Sequence, residues 1–167
     1  GEPWFAAASL AHLAGDRPLR LLEVRRAGRL IGVMIVAIET RYGRTPVAFV
    51  QNWCHHQAFL GTPQVAAGEE QVFWSAVLAA LDEADWAPGF LHLRGLVEDG
   101  PVHRGLTAAA AALGRGAPVV TREVRAFLQS GLDSSAYYAQ AVRQKKRKEI
   151  RRLSNRLAEQ GEVRACA

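Results

Sequence analysis

Residues 19–38 read LRLLEVRRAGRLIGVMIVAI, and this stretch decides the fold. It contains two apolar segments, Leu19–Arg26 and Leu30–Ile38, which are separated by Ala27-Gly28-Arg29. Apolar segments on either side of a turn that contains Gly are typical of a β-hairpin. The second segment is apolar almost throughout, which predicts a central strand that is buried on both faces. A third strand is predicted over Pro46–Gln51, so the sequence indicates an antiparallel meander.

Helices and further strands flank the meander in a regular order. Helices are predicted over Pro3–Leu13, Glu69–Asp85 and Pro101–Leu113, strands over Phe90–Leu93 and Pro118–Leu128, and a basic helix over Ser134–Gln160 with Asp133 or Ser134 as its N-cap. Gly114-Arg115-Gly116 is interpreted as the C-cap and turn of the third helix. A meander followed by β-α-β crossovers implies an α/β (α+β) fold class, with a mixed sheet and helices on both faces.

The composition is that of a globular domain, with 49% apolar residues among 167. No window approaches the roughly 18 uninterrupted apolar residues of a membrane helix, and no secretory signal is visible. The two cysteines, Cys54 and Cys166, form no disulfide framework, so we expect a cytoplasmic location. The chain starts with Gly and its last residues resemble the beginning of a strand, so we expect it to be part of a longer protein.

Positive charge is concentrated in the basic helix. The formal charge is +6 from Tyr137 onward and −1 over residues 1–136, which gives the net +5 of the chain. The Lys and Arg side chains form either a solvated polar face or a surface for phosphate, a CoA-like ligand or another polyanion. Nucleic acid fits less well, because the nearby aromatic residues lie upstream of the charges. An apolar stripe runs along the same helix through Ile150, Leu153 and Leu157.

Several short motifs resemble one acetyltransferase family. They are Gln51-Asn52-Trp53, Leu60-Gly61-Thr62-Pro63, Phe90–Leu96, Tyr137-Tyr138 and the basic run Arg143–Leu157, which is followed by Glu159-Gln160-Gly161. With the element order, they resemble the CelD-like GNAT-type acetyltransferases linked to cellulose and exopolysaccharide biosynthesis. That family is distantly similar to the FemABX peptidyltransferases. The resemblance covers nearly the whole chain.

The resemblance implies two GNAT-like units in tandem. Residues 1–132 would be the first unit, residues 133–161 the connecting basic helix, and residues 162–167 the first strand of the second unit. The implied activity is transfer of an acyl group from acyl-CoA to an amine or sugar acceptor in polysaccharide or cell-envelope synthesis. The alternative is a non-catalytic, degenerate GNAT-fold module whose basic helix docks an acidic partner or nucleic acid.

Acetyl-CoA, or another acyl-CoA, is the cofactor that the resemblance implies for the full-length protein. GNAT proteins hold its pyrophosphate on the bare amides of a Gly-rich loop at a helix N-terminus. The matching loop starts at Gln51 but has Cys54 and His56 at the two positions where the motif requires small residues. Gly61-Thr62-Pro63 lies nearer the helix, but Pro63 removes an amide donor there. We therefore expect the second unit, not this chain alone, to bind acyl-CoA.

The candidate site residues fall into two groups. Asn52, His55, Gly61 and Thr62 are substrate-cleft candidates, and Lys145, Lys146, Arg147 and Arg151 are anion- or CoA-contact candidates. Cys54-His55-His56 invites a metal or Cys–His interpretation, but adjacent residues of an extended segment point to opposite sides, so we predict no metal site. Glu98, Asp99 and His55 are possible catalytic bases, and no spacing selects among them.

Overall fold

The computed structural model of this protein describes residues 3–55, 61–124 and 130–162. The chain divides into two compact units, Gly1–Val120 and Thr121–Ala167. The first unit contains α1 (Pro3–Leu13), β1 (Leu19–Arg26), β2 (Arg29–Glu39), β3 (Phe49–Asn52), β4 (Gln64–Val65), α2 (Glu70–Glu83), β5 (Leu91–His92) and α3 (Pro101–Ala112). The second contains α4 (Ser134–Ala141) and α5 (Gln144–Ala158). Among the described residues, no helix is both long and apolar enough to span a membrane.

The five strands form one mixed sheet, which confirms the predicted α+β class. Strands β1, β2 and β3 pair antiparallel, and β2 lies between its two neighbours as predicted. Strand β5 follows the α2 crossover and pairs parallel with β3. The short strand β4 pairs with β2 along the edge that β3 also uses, at residues 32–33 of β2.

The β1–β2 hairpin owes its register to a two-residue turn. Ala27 and Gly28 both have positive φ angles, 49° and 80°, and Arg26 pairs with Arg29 across the turn. Two central residues with positive φ match the right-handed twist of the flanking strands. The turn therefore fixes which side chains of β2 face the core.

Helix α2 packs on one face of the sheet. A Cβ atom on Gly32 would lie 2.3 Å from Cδ2 of Phe73, so the helix approaches β2 where that strand has no side chain. Phe73 and Trp74 are fully buried with Met34 and Val36 of the same strand face. The buried indole of Trp74 donates a hydrogen bond of 2.9 Å to the Val102 carbonyl and so ties α3 to α2.

The predicted end of α3 is confirmed. Gly114 has a φ of 67°, and its amide donates to the Ala111 carbonyl at 3.0 Å. The Arg115 amide donates to the Ala110 carbonyl at 2.9 Å. These bonds satisfy carbonyls that the helix leaves without partners, as a glycine C-cap does.

The strands of the described residues differ from the sequence prediction in two ways: one expected strand is not formed, and one observed strand was not expected. Residues 118–124 form no strand, although a strand was expected over Pro118–Leu128, of which residues 125–129 lie outside the described residues. Val120 and Val124 are strongly exposed, and β-branched residues form a strand only where a neighbouring strand and a buried face are provided. Strand β4 was not predicted, because a strand of two residues is too short to show an alternation of apolar and polar side chains. The strand expected over residues 162–167 lies outside the described residues except for Glu162.

The predicted basic helix is two helices. Asp133 caps the first, because its Oδ1 accepts hydrogen bonds of 2.9 Å from the amides of Ser135 and Ala136. Val142 and Arg143 then adopt extended ψ angles of 117° and 144°, which interrupts the helical hydrogen bonds. The Ala139 carbonyl, which loses its helical partner there, accepts from Nη1 of Arg147 at 3.1 Å. No glycine or proline marks this break.

Candidate functional site

The predicted cleft residue Asn52 joins three segments of the first unit. It lies at the end of β3 and is 1% exposed. Its Nδ2 donates to the Gly61 carbonyl at 2.7 Å and to the Arg94 carbonyl at 2.9 Å, and its Oδ1 accepts from the Arg94 amide at 2.8 Å. Both the NH₂ group and the carbonyl oxygen of the side-chain amide are therefore bonded within the protein. We call this arrangement of Asn52, Gly61 and Arg94 the Asn52 clamp.

The clamp holds the backbone where β3 and β5 end their parallel pairing. Val50 pairs with Leu91, and Gln51 pairs with His92. Beyond these pairs, the Asn52 side chain links the two strands through its hydrogen bonds to the Arg94 backbone. The Gly61 amide adds a bond of 3.0 Å to the Gly95 carbonyl. The structure thus brings together the predicted residues Asn52 and Gly61, with Arg94 as a third member that the sequence did not indicate.

Gly61 is required by close approach of the backbone. A Cβ atom at this position would lie 1.9 Å from the Arg94 carbonyl oxygen and 2.3 Å from Nδ2 of Asn52. Any side chain there would displace the segment that the clamp holds. Thr62 follows directly, and its Oγ1 is buried without a hydrogen-bond partner among the described residues.

The Cys54 thiol lies beside the clamp but is not activated. Nδ2 of Asn52 is 3.6 Å from its Sγ. Burial raises the pKa of Cys54 above its usual value, and the positive charge of Arg94 offsets only part of this effect. A reactive cysteine needs a lowered pKa, because the thiolate is the nucleophile. The environment of Cys54 is therefore that of a packed thiol.

The other candidates in this region lie in different surroundings. The His55 ring is tilted against the Trp53 ring with 5.0 Å between their centroids, and His56 lies outside the described residues. Asp99 is at the start of α3, where its amide donates to Nδ1 of His103 at 3.2 Å, and its carboxylate is 90% exposed. In the described part of the chain, no three His, Cys, Asp or Glu residues are grouped so that they could hold a metal ion.

The N-terminus of α2 carries two carboxylates. Glu69 is the N-cap residue, and Glu70 is the first residue of the helix. The Glu69 carboxylate is 14% exposed and pairs with Arg26 at 3.0 Å and Arg29 at 3.1 Å. Both residues lie at the helix end where the helix dipole favours negative charge.

The anion-contact candidates of the second unit all lie on α5. Nζ of Lys146 pairs with Glu149 at 3.0 Å, Arg147 bonds to α4, and Lys145 is exposed. Arg151 lies along a shallow groove of the helix surface together with Lys148, Arg152, Asn155, Arg156 and Glu159. The apolar stripe of the same helix is also uncovered, with Ile150, Leu153 and Leu157 at 37%, 48% and 54% exposed.

Comparison with known proteins does not assign the chain to a family. No family model matches it, and no curated protein matches it.

Proposed function

We propose that this chain is the N-terminal part of a GNAT-like acyltransferase that transfers an acyl group from acyl-CoA to an amine or sugar acceptor in polysaccharide or cell-envelope synthesis. The proposal rests chiefly on one observation: an antiparallel meander leads into a helical crossover and a parallel pair, β3 and β5, whose pairing ends at the Asn52 clamp. That order is the one the resemblance to GNAT proteins implies. A cytoplasmic location, where acyl-CoA is available, is part of the proposal.

In this proposal, the first unit is a platform and the acyl-CoA site is completed by a second GNAT-like unit. Acyl-CoA would supply the activated acyl group: the acceptor nitrogen or oxygen would bond to the acyl carbon, the C–S bond would break to release CoA as a thiolate, and the acceptor's proton would pass through a base to that thiolate. Two features of the described residues support a site elsewhere. The α2 N-terminus carries Glu69 and Glu70, and Cys54 is a protonated, packed thiol.

Helix α5 is the proposed connection to the second GNAT-like unit. Its stripe of Ile150, Leu153 and Leu157 is uncovered, and burying a Leu or Ile side chain contributes about 1.5–3 kcal/mol. The basic groups beside the stripe fit an acidic or phosphate-bearing surface. The remainder of the protein's own chain is therefore the partner that we propose for this helix.

Isothermal titration calorimetry with acetyl-CoA tests the proposal. The 167-residue chain should give no saturable heat, whereas a protein in which residues 1–167 are followed by the second GNAT-like unit should bind at a 1:1 ratio. The double variant Leu153→Asp and Leu157→Asp should weaken binding by the longer protein by disrupting the α5 contact. Equal binding of acetyl-CoA by the 167-residue chain, or no binding by the longer protein, would overturn it.

A non-catalytic binding module is the second candidate, and the charge of α5 is the observation that favours it. Arg151, Arg152 and Arg156 line an open groove, and no residue of this helix is buried. The module would capture an acidic partner through these groups. Charge reversal at Arg151, Arg152 and Arg156 should then abolish capture of a polyglutamate probe without unfolding the protein. Nucleic acid as the ligand predicts a steep loss of affinity with added salt in a filter-binding assay.

A further inference from the structure

A cleft of about 360 Å³ opens on the sheet face opposite α2, within the first unit. The register places Phe49, Gln51 and His92 on this face, because the intervening Val50 and Leu91 belong to the core against α2. Arg94 continues the row of β5 beyond the parallel pairing. The cleft is thus formed by the same strands as the Asn52 clamp but on their other side, and its assignment does not depend on the acyltransferase proposal.

Guanidinium groups dominate the charge of the cleft. Arg17, Arg41 and Arg94 line it, and Glu39 is the only carboxylate among its lining residues in the described chain. Arg17 pairs with Glu39 at 3.6 Å, and Nη2 of Arg41 donates to the Arg44 carbonyl at 3.4 Å. Arg41 and Arg94 have no carboxylate partner among the described residues. Two uncompensated positive charges in a concave surface attract an anion.

An aromatic wall adjoins these charges. The Tyr42 ring stands edge-on to the rings of Phe49, Phe90 and His92, with centroid distances of 5.5, 5.7 and 5.2 Å. Its backbone is fixed by a tight turn, in which the Tyr42 and Thr45 amides each donate to the other residue's carbonyl at 2.9 and 3.0 Å. Tyr42 remains 40% exposed, so its ring gives the cleft an accessible aromatic surface beside the guanidinium groups.

The cleft lining also includes the polar side chains of Gln51 and His92. Gln51 supplies a side-chain amide, and burial together with the positive charge of Arg94 lowers the pKa of His92. Nδ1 of His92 is buried and has no hydrogen-bond partner among the described residues.

We propose that this cleft binds a small organic anion, with its carboxylate or phosphate held by Arg41 and Arg94 and its ring packed against Tyr42. Arginine suits this role because its planar fork donates two parallel hydrogen bonds to either kind of oxyanion. A free inorganic ion would make no contact with the ring of Tyr42, so it should bind more weakly. A neutral ring compound would make no ion pair with Arg41 and Arg94, so it should bind more weakly as well.

Four probes separate these contributions in an amide NMR titration of the 167-residue chain. Benzoate and phenyl phosphate carry both a ring and an anionic group, benzyl alcohol carries only the ring, and inorganic phosphate only the charge. Saturable shifts at Tyr42, Gln51 and His92 are expected with the first two. The tighter of the two then identifies carboxylate or phosphate as the preferred group. Inorganic phosphate and benzyl alcohol should bind at least about tenfold more weakly, since each lacks one set of contacts.

Matched variants test the residues. Arg94→Met and Arg41→Met keep much of the side-chain stem but remove the charge, and each should weaken the better probe about tenfold. Arg44→Met, in the same turn as Arg41 but outside the cleft lining, makes the same change in net charge and should leave the affinity unchanged. Tyr42→Leu should weaken phenyl phosphate and benzoate but not inorganic phosphate. Folding of each variant is checked by its amide spectrum.

The proposal is overturned by any of three results. Neither ring-bearing anion gives saturable shifts at the cleft, or benzyl alcohol binds as tightly as the anions, or Arg44→Met weakens binding as much as Arg41→Met and Arg94→Met do. The third result would show a general charge effect. Failure here leaves acetyl-CoA binding by a two-unit protein unaffected, so the two proposals can fail separately.

Discussion

Replacing Asn52 by alanine should destabilise the first unit more than any other single polar substitution in it. The change leaves the Gly61 carbonyl and both backbone groups of Arg94 without the partners that now lie at 2.7, 2.9 and 2.8 Å. Because Asn52 is 1% exposed, water does not readily replace the amide. At about 1–1.5 kcal/mol for each of the three lost bonds, the free energy of unfolding should fall by about 3–4.5 kcal/mol. That is a large share of the roughly 5–15 kcal/mol of a typical domain.

Urea unfolding followed by tryptophan fluorescence measures this effect cleanly. All four Trp residues of the chain precede residue 87, so the signal reports the first unit. Asn52→Asp keeps the size and the acceptor for the Arg94 amide but places negative charge against two carbonyls, so it should cost at least as much. Gln71→Ala on the exposed surface of α2 is the control within the first unit and should change little. A loss below about 1 kcal/mol for Asn52→Ala would refute the reasoning, because one hydrogen bond alone contributes that much.

Three further predictions concern the surroundings of the clamp and the cleft. Gly61→Ala should lower the free energy of unfolding by more than about 2 kcal/mol, as expected for a forced backbone shift, while Gly116→Ala, whose Cβ would meet only Pro118 at 3.9 Å, should be nearly neutral in the same urea assay. Cys54 should react with iodoacetamide at pH 7 more slowly in the folded chain than in urea, because burial raises its pKa; equal rates measured by mass spectrometry of the Cys54 peptide would contradict this. His92 has a lowered pKa when folded, so its contribution to stability is present above the usual histidine pKa and is lost as pH falls from that value through the lower pKa of the folded state. The free energy of unfolding should therefore fall from pH 7 to pH 5 more steeply for the native chain than for His92→Gln, and parallel curves would contradict the assignment.

The parts of the fold that follow local rules could be predicted from the sequence. The apolar runs on either side of Ala27-Gly28 define the hairpin, and the run from Leu30 indicates the central strand. Asp133 and Gly114 carry capping chemistry that acts within a few residues of its own position. Such signals need no knowledge of the tertiary structure.

The rest depends on contacts between distant segments. Strand β4 forms where the segment after Gly61 pairs with β2, while Gly61 itself is bonded to Asn52. No local sequence pattern predicts this pairing. The break at Val142 has no glycine or proline to mark it and is accompanied by the Arg147 bond to Ala139.

For the candidate site, the sequence indicated Asn52 and Gly61 but not that Arg94 joins them. The cleft could not be predicted at all. Arg17, Arg41 and Arg94 are distant in sequence, and they line one cleft only because β1, β2, β3 and β5 pair in this register. A residue pattern along one strand shows which side chains share a face, and pairing with other strands decides which of them converge.

The most direct test of the central proposal is the release of CoA thiol. Acetyl-CoA is incubated with an amine acceptor, such as glucosamine, and free thiol is followed with a colorimetric thiol reagent. A protein in which residues 1–167 are followed by a second GNAT-like unit should release thiol in proportion to acceptor acetylated, and the 167-residue chain alone should release none. A longer protein that binds acetyl-CoA but transfers the acetyl group to no amine or sugar acceptor would contradict the account and favour the binding module.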